Sequence, residues 1–359
     1  MTRKTRLGLL AVALTLGTST FAQAQAPESP DPIKIAVNEW TGQVLSAQIA
    51  GEVLKKMGYN VELVIAGALP QLAAIEQGEL DLNPEVWDNS VTEAYTNGLA
   101  SGAIIAAGPL GLQPREGWIY PPYMEELCPG LPSYTALYDC AMAFGNAETF
   151  PNGRLVGYPA DWGTRDIDVV KAIGLPFNVV PGGSEGAMLA ELKSAIAAKE
   201  PILMMFWEPH WIFAEEELKF VEWNAIEGEC VEETQVKETA CGFAQAEAQK
   251  IHSDDFAAKY PAAASMMAKF TLNNADHNAM ILEVDQKGRT AEELAAEWIT
   301  KNEAVWTTWI QSDLYLGVQT RLRSGRPARL MPGRYCNSGS DHARLCQTLV
   351  SKSVESLRA

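Results

Sequence analysis

The chain has 359 residues, with 28 Lys and Arg against 45 Asp and Glu and a formal net charge of −17. That length accommodates two domains with cores of their own. The acidic balance excludes a nucleic-acid binder, which must turn a basic face to the phosphate backbone, and favours solubility over any one ligand.

The first residues have the layout of a secretory signal peptide: a basic cluster (Arg3, Lys4, Arg6), an apolar run over residues 7–16 and the small-x-small pattern Ala22-Gln23-Ala24. The apolar run is shorter than the ~20 residues a membrane span requires. Cleavage is therefore expected after Ala24, with residues 1–24 as signal peptide and the mature chain in the periplasm. An apolar β-type run over 33–37 then leads to a helix over 43–57 closed by Gly58, a strand over 61–65, a helix over 72–77 ended by Gly78, and a short strand over 80–82. After a Pro-rich connection at 108–122 the rhythm returns: strand 154–158, helix 166–173, strand 178–180, helix 188–198, strand 202–206. Strands alternating with amphipathic helices predict parallel-type α/β layers. Two lobes are expected, one from residues 27–110 plus 243–312 and the other from 111–242. Residues 313–359 hold eight Lys/Arg against three Asp/Glu and little apolar periodicity, so they are set apart as a basic, disordered tail.

Six cysteines in an exported chain suggest disulfides. Cys128 with Cys140 and Cys230 with Cys241 flank short segments, and two local bridges are the simplest pairing; the pairing of Cys336 and Cys346 stays open. No CxxC occurs and no histidine stands near Cys128, Cys140, Cys230 or Cys241, so no metal site is expected.

The ten tryptophans are most informative by position. Trp40, Trp87, Trp162 and Trp207 each follow or end a predicted strand, and the carboxyl ends of strands in open α/β sheets are where ligands bind. An indole face is negative and attracts a cation, worth ~0.5–2 kcal/mol per ring, and quaternary ammonium groups are the ligands such cages serve best. A trimethylated nitrogen donates no hydrogen bond, so ordinary polar side chains do not select it. For an anionic end of the ligand, the backbone N–H groups of Gly163 and Thr164 are candidates, because they open the helix predicted over 166–173. Against catalysis, the four histidines share no metal-ligand spacing, and no GxSxG elbow, P-loop or GxGxxG is present. Paired carboxylates among Glu39, Glu85, Glu116 and Glu208 leave a secreted carboxylate-dependent hydrolase as the rival from another class. No catalytic residue and no cofactor is assigned.

At these residues the chain resembles the glycine betaine/proline betaine-binding proteins of ABC importers, a family that includes choline and trimethylamine N-oxide binders. The resemblance spans about residues 31–312. It is most specific in Met204-Met205-Phe206-Trp207-Glu208-Pro209-His210-Trp211, and it continues in Asn83-Pro84-Glu85-Val86-Trp87 and Pro159-Ala160-Asp161-Trp162-Gly163. It implies a two-lobed type II periplasmic-binding fold with the ligand between the lobes and Trp40, Trp87, Trp162 and Trp207 as cage residues. Gly163 and Thr164 would meet a ligand carboxylate. It also implies a monomer that takes a small methylated amine to a membrane permease. Two departures bear on the ligand. Gly42 stands where the choline subfamily has an acidic residue. Glu116-Gly117-Trp118-Ile119 adds an indole and a carboxylate, making Trp118 a candidate cage wall and Glu116 a candidate partner for an N-oxide. Glycine betaine is the leading expectation and trimethylamine N-oxide the alternative.

Overall fold

The computed structural model describes residues 26–88, 92–223, 243 and 246–310; the signal-peptide segment, Cys230, Cys241 and the basic tail with Cys336 and Cys346 lie outside them. The first part of the chain folds as β1 (Ile33–Val37), α1 (Thr41–Lys56), β2 (Val61–Ile65), α2 (Ala68–Glu76), β3 (Leu82–Trp87), α3 (Thr92–Ser101) and β4 (Ile104–Pro109). With β11 (Ala248–Ser253) these strands form a five-stranded sheet in the order β2-β1-β3-β11-β4. β1 runs parallel to β2 and β3, as α/β crossovers demand, whereas β11 enters antiparallel between β3 and β4.

The second sheet is built from β5 (Arg115–Tyr120), β7 (Gly153–Gly157), β8 (Phe177–Pro181), β9 (Met204–Glu208) and β10 (Lys219–Phe220), in the order β10-β5-β9-β7-β8. The helices α6 (Arg165–Ile173) and α7 (Glu185–Ala198) connect β7 to β8 and β8 to β9. Between β5 and β7, α4 (Met124–Leu127), β6 (Pro129–Pro132) and α5 (Ala136–Cys140) form a loop closed by a disulfide from Cys128 to Cys140, with Cα atoms 5.3 Å apart. After β9 comes α8 (Ile212–Glu215), and after β11 the helices α9 (Phe256–Lys259), α10 (Pro261–Lys269), α11 (Asn274–Lys287), α12 (Ala291–Lys301) and α13 (Glu303–Trp309). Helix α1 packs on the first sheet and against α11 and α12, burying Leu45, Ile49, Val53 and Leu54. Among the described residues, no helix is long and apolar enough to cross a membrane.

Two elements differ from the pattern read in the sequence, and both lie at the site. The stretch at 108–122, expected to be a connection, contains β5, whose Gly117, Trp118, Ile119 and Tyr120 are buried. Flanking prolines (Pro114, Pro121, Pro122) mask that strand in the sequence, and its partner β9 is antiparallel. β3 runs on from Leu82 to Trp87 through Pro84 rather than stopping at 82. A proline cannot donate to a ladder and is tolerated in a sheet at an edge or a bulge. Here the register of β11 slips between Gln249 (opposite Val86) and Ile251 (opposite Asn83), so Pro84 and Glu85 together face the single residue Lys250.

Candidate functional site

The carboxyl ends of β1, β3, β7 and β9 converge on one cavity. Its lining comprises Trp40, Trp87, Trp162 and Trp207 together with Asn38, Ala68, Gln71, Asn83, Glu85, Val86, Glu116 and Tyr158. The empty space between them is about 490 Å³, which includes space open to solvent. Trp162 is the hub. Its ring lies 4.8 Å from Trp40 at 62° and 5.3 Å from Trp207 at 64°, both edge-to-face, and 6.2 Å from Tyr158. Edge-to-face contacts of this kind are worth ~0.5–1.5 kcal/mol each beyond area burial and hold neighbouring walls at steep angles. Trp40 precedes α1 and Trp162 follows β7, so the contact between them joins the two lobes.

The polar groups fall into two sets. Gln43 binds the backbone N–H of Asn38 through Oε1 (2.7 Å) and donates to Asn83 Oδ1 (3.1 Å); Asn83 donates to Gln71 Oε1 (2.6 Å), and Gln71 donates to Asn38 Oδ1. These amides satisfy one another and fix the floor of the cavity. The second set is acidic. Glu116, on β5 directly opposite Trp207 of β9, accepts a hydrogen bond from the Tyr158 hydroxyl. Glu85 on β3 accepts from the indole N–H groups of Trp87 (2.9 Å) and Trp40 (3.4 Å). Among the described lining residues there is no Lys, Arg or His. Beneath Tyr158, the buried Asp166 accepts its backbone N–H (2.8 Å) and the indole N–H of Trp118 (2.7 Å). Burial pushes the Asp166 carboxyl up to about 6, against the pull of those two donors.

Glu185, His210 and Asp285 also gather, their candidate ligand atoms within 4.8 Å of one another. The backbone N–H of Ile212 donates to His210 Nδ1 (3.2 Å), which places the ring proton of a neutral His210 on Nε2. Nε2 faces Glu185 Oε1 at 3.3 Å and Asp285 Oδ2 at 3.6 Å.

Over residues 31–301 the chain matches the family described as the substrate-binding domain of ABC-type glycine betaine transport systems. The chain belongs to that family. Its function is accordingly that of the substrate-binding component of a glycine betaine-type ABC transporter. A trimethylamine N-oxide-binding protein of Pelagibacter ubique (strain HTCC1062) is 29% identical over 303 residues, covering 82% of this chain and 96% of that protein. Among solved structures, lactococcal OpuAC in its closed-liganded form with glycine betaine aligns with a TM-score of 0.63 at 20% identity, over 78% of this chain and 100% of that one. An ABC-transporter choline-binding protein in complex with choline aligns with a TM-score of 0.68 at 16% identity, over 82% and 99%. These likenesses establish the two-lobed binding-protein fold.

In this substrate-binding protein, four of the five tryptophans singled out in the sequence line the cavity, and so does Glu116. Trp118 does not. It shares a strand face with Glu116 but lies one pleat deeper, fully buried, edge-on to Trp223 (5.1 Å) and Phe243 (6.0 Å), with its N–H on Asp166. It is a core residue under the cage rather than a wall of it. Gly163 and Thr164 are likewise outside the lining, which ends at Trp162. The Thr164 hydroxyl donates to Asp168 Oδ2 (2.7 Å), and Asp166 and Asp168 both stand in the first turn of α6. The positive end of that helix already faces two carboxylates, which leaves little attraction for a third. Tyr158 and the Asn38–Gln71–Asn83 amides had no role assigned from sequence. Tyr158 follows β7 directly, and the strand-end rule that found the tryptophans applies equally to it.

Proposed function

We propose that the protein captures trimethylamine N-oxide or a close methylated-ammonium relative in its tryptophan cage and delivers it to the membrane permease of an ABC importer. The observation that carries the choice of ligand is Glu116, a carboxylate inside the cage, hydrogen-bonded to Tyr158, with no cationic side chain among the described lining residues. The trimethylated nitrogen is common to the N-oxide and to glycine betaine, and Trp40, Trp87, Trp162 and Trp207 suit it in either. The other end of the ligand separates them. Betaine would bring a carboxylate towards Glu85 and Glu116, a like-charge contact in a desolvated site. An N-oxide oxygen is a compact acceptor, and a single proton between it and Glu116 makes one charge-assisted O–H···O bond. The 29% identical relative named for trimethylamine N-oxide supports the same reading. Glycine betaine, the ligand in the OpuAC complex, is the second reading; the Gly163 and Thr164 amides expected for its carboxylate lie outside the cavity lining.

We infer further that the protein is exported to the periplasm with residues 1–24 removed and acts as a monomer. Its lobes divide at 27–110 plus 243–312 and 111–242. Calorimetric titration tests the ligand: trimethylamine N-oxide should bind in the micromolar range, about −8 kcal/mol. Glu116→Gln should weaken it about tenfold or more while improving betaine. Betaine binding ten times more tightly than the N-oxide to the wild type would reverse the assignment.

A further inference from the structure

Glu85 occupies an unusual place for a charged group. It is 1% exposed, in the middle of β3, and it shares a strand face with Asn83 and Trp87. Oε1 accepts the indole N–H of Trp87 at 2.9 Å and that of Trp40 at 3.4 Å; Oε2 accepts the Ser46 hydroxyl at 2.6 Å. Both oxygens only accept, which is the bonding pattern of a carboxylate. Behind Ser46 stands His277, its Nε2 3.0 Å from the carbonyl oxygen of Gly42, 3.3 Å from Ser46 Oγ and 3.6 Å from Glu85 Oε2. Desolvation holds the His277 ring below its ordinary pKa, so it donates Nε2–H to Gly42 as a neutral group.

An indole N–H lies in the plane of its ring, so with the ring tethered through Cβ, fixing the N–H direction limits where the face points. Trp40 comes from the start of α1 and Trp87 from the end of β3, yet both N–H groups converge on one oxygen. Hydrogen-bonding to an anion also polarises an indole towards its face, which strengthens attraction for a cation. We propose that Glu85 is a positioning residue for the cage: it orients Trp40 and Trp87 through their N–H groups and sets its negative charge behind both walls, with the Ser46 hydroxyl holding the carboxylate from the rear. This deepens the methylated-cation reading above and rests on it. A neutral side chain of the same shape would lack the charge and would turn an N–H₂ group towards either Ser46 or the indoles.

The test separates orientation from ligand choice. Indole N–H resonances of Trp40 and Trp87 are recorded in ¹⁵N-labelled, ligand-free protein for the wild type, Glu85→Gln and Ser46→Ala. The same proteins are titrated with trimethylamine N-oxide and with tetramethylammonium, a bare cation that makes no demand on Glu116. Glu85→Gln should shift both resonances and weaken tetramethylammonium about tenfold. Ser46→Ala should shift the same two resonances with a smaller loss of affinity. Unmoved resonances in Glu85→Gln, or tetramethylammonium affinity within twofold of wild type, would overturn the proposal. If Glu85→Gln does not fold, Ser46→Ala decides alone, and unmoved resonances there overturn it equally. A wild type that binds neither probe would sink the functional reading while the ligand-free resonances still report on Glu85.

Discussion

At the scale of single residues, the cage depends strongly on Trp162, whose ring meets two other indole walls, one from each lobe. Trp40 and Trp207 each abut it edge-to-face, and Tyr158 packs behind it. Trp162→Ala removes one cation–π face and two aromatic contacts, while the remaining walls lose their support. The expected loss is about 2–3 kcal/mol, or thirty- to a hundredfold and more in affinity. Isothermal titration beside Trp207→Ala checks it, since Trp207 also stacks on Phe206 at 4.4 Å and keeps that support when Trp162 is cut. A smaller loss for Trp162→Ala than for Trp207→Ala would contradict the hub. Gly42 is explained at the same scale. A Cβ there would lie 2.8 Å from His277 Cε1, so the acidic residue of the choline pattern has no room in this chain.

At the scale of elements, α6 links the core to the site through Asp166. Its first-turn carboxylate holds the Tyr158 N–H at the end of β7 and the Trp118 N–H on β5, tying two strands beneath the cage. Because burial raises this carboxyl from 3.8 to about 6, the folded state binds its proton more tightly than the unfolded chain does. Its contribution to stability is therefore complete below pH 4 and is lost as pH rises through 6, by roughly 3 kcal/mol in all. Asp166→Asn keeps an acceptor for Trp118 but turns an amide towards the Tyr158 N–H, so the variant should be less stable at every pH. Thermal melts from pH 4 to 7 should show the wild-type advantage shrinking as pH rises; an advantage that grows would mean the carboxylate is favoured by its donors after all. How much of these elements the sequence reveals follows from the same physics. The strands β1, β2, β7 and β8 stand out because alternation or a short apolar run meets a Gly or Pro boundary. β5 is hidden because prolines bracket it, and the full length of β3 is hidden because only the slip in β11 makes Pro84 admissible. The tryptophans were legible as strand-end residues. The depth of Trp118 was not, because one pleat along a strand separates a cage wall from a core residue and only the register with β9 settles which is which.

At the scale of the whole molecule, the lobes meet at a second place outside the cavity lining. Thr41, at the start of α1, donates its backbone N–H to Glu185 Oε2 (2.8 Å) at the start of α7, and its hydroxyl to Asp285 Oδ1 (2.7 Å) on α11. Trp211, after β9, donates its indole N–H to Asp285 Oδ2 (2.7 Å), and the His210 Nε2 proton faces Glu185 and Asp285 together. Opposing forces act here. Desolvation first, and then the charge of Glu185, push the Asp285 carboxyl above the ordinary carboxylate range, so the two acids resist being brought together. The Thr41 N–H, the Thr41 hydroxyl and the Trp211 indole N–H favour it. Hydrogen bonds to charged acceptors contribute about 1.5–3 kcal/mol each when buried, so three donors outweigh one screened repulsion. The junction therefore favours approach of the lobes and adds to ligand affinity without touching ligand, since a ligand that contacts both lobes is bound only as far as the lobes come together. Asp285→Ala should then weaken trimethylamine N-oxide binding about five- to thirtyfold with every cavity-lining residue unchanged. In small-angle scattering, the radius of gyration at saturating ligand should stay nearer its ligand-free value than in the wild type. If Asp285→Ala binds as tightly as the wild type or more tightly, the Glu185–Asp285 repulsion dominates and the junction holds the lobes apart instead.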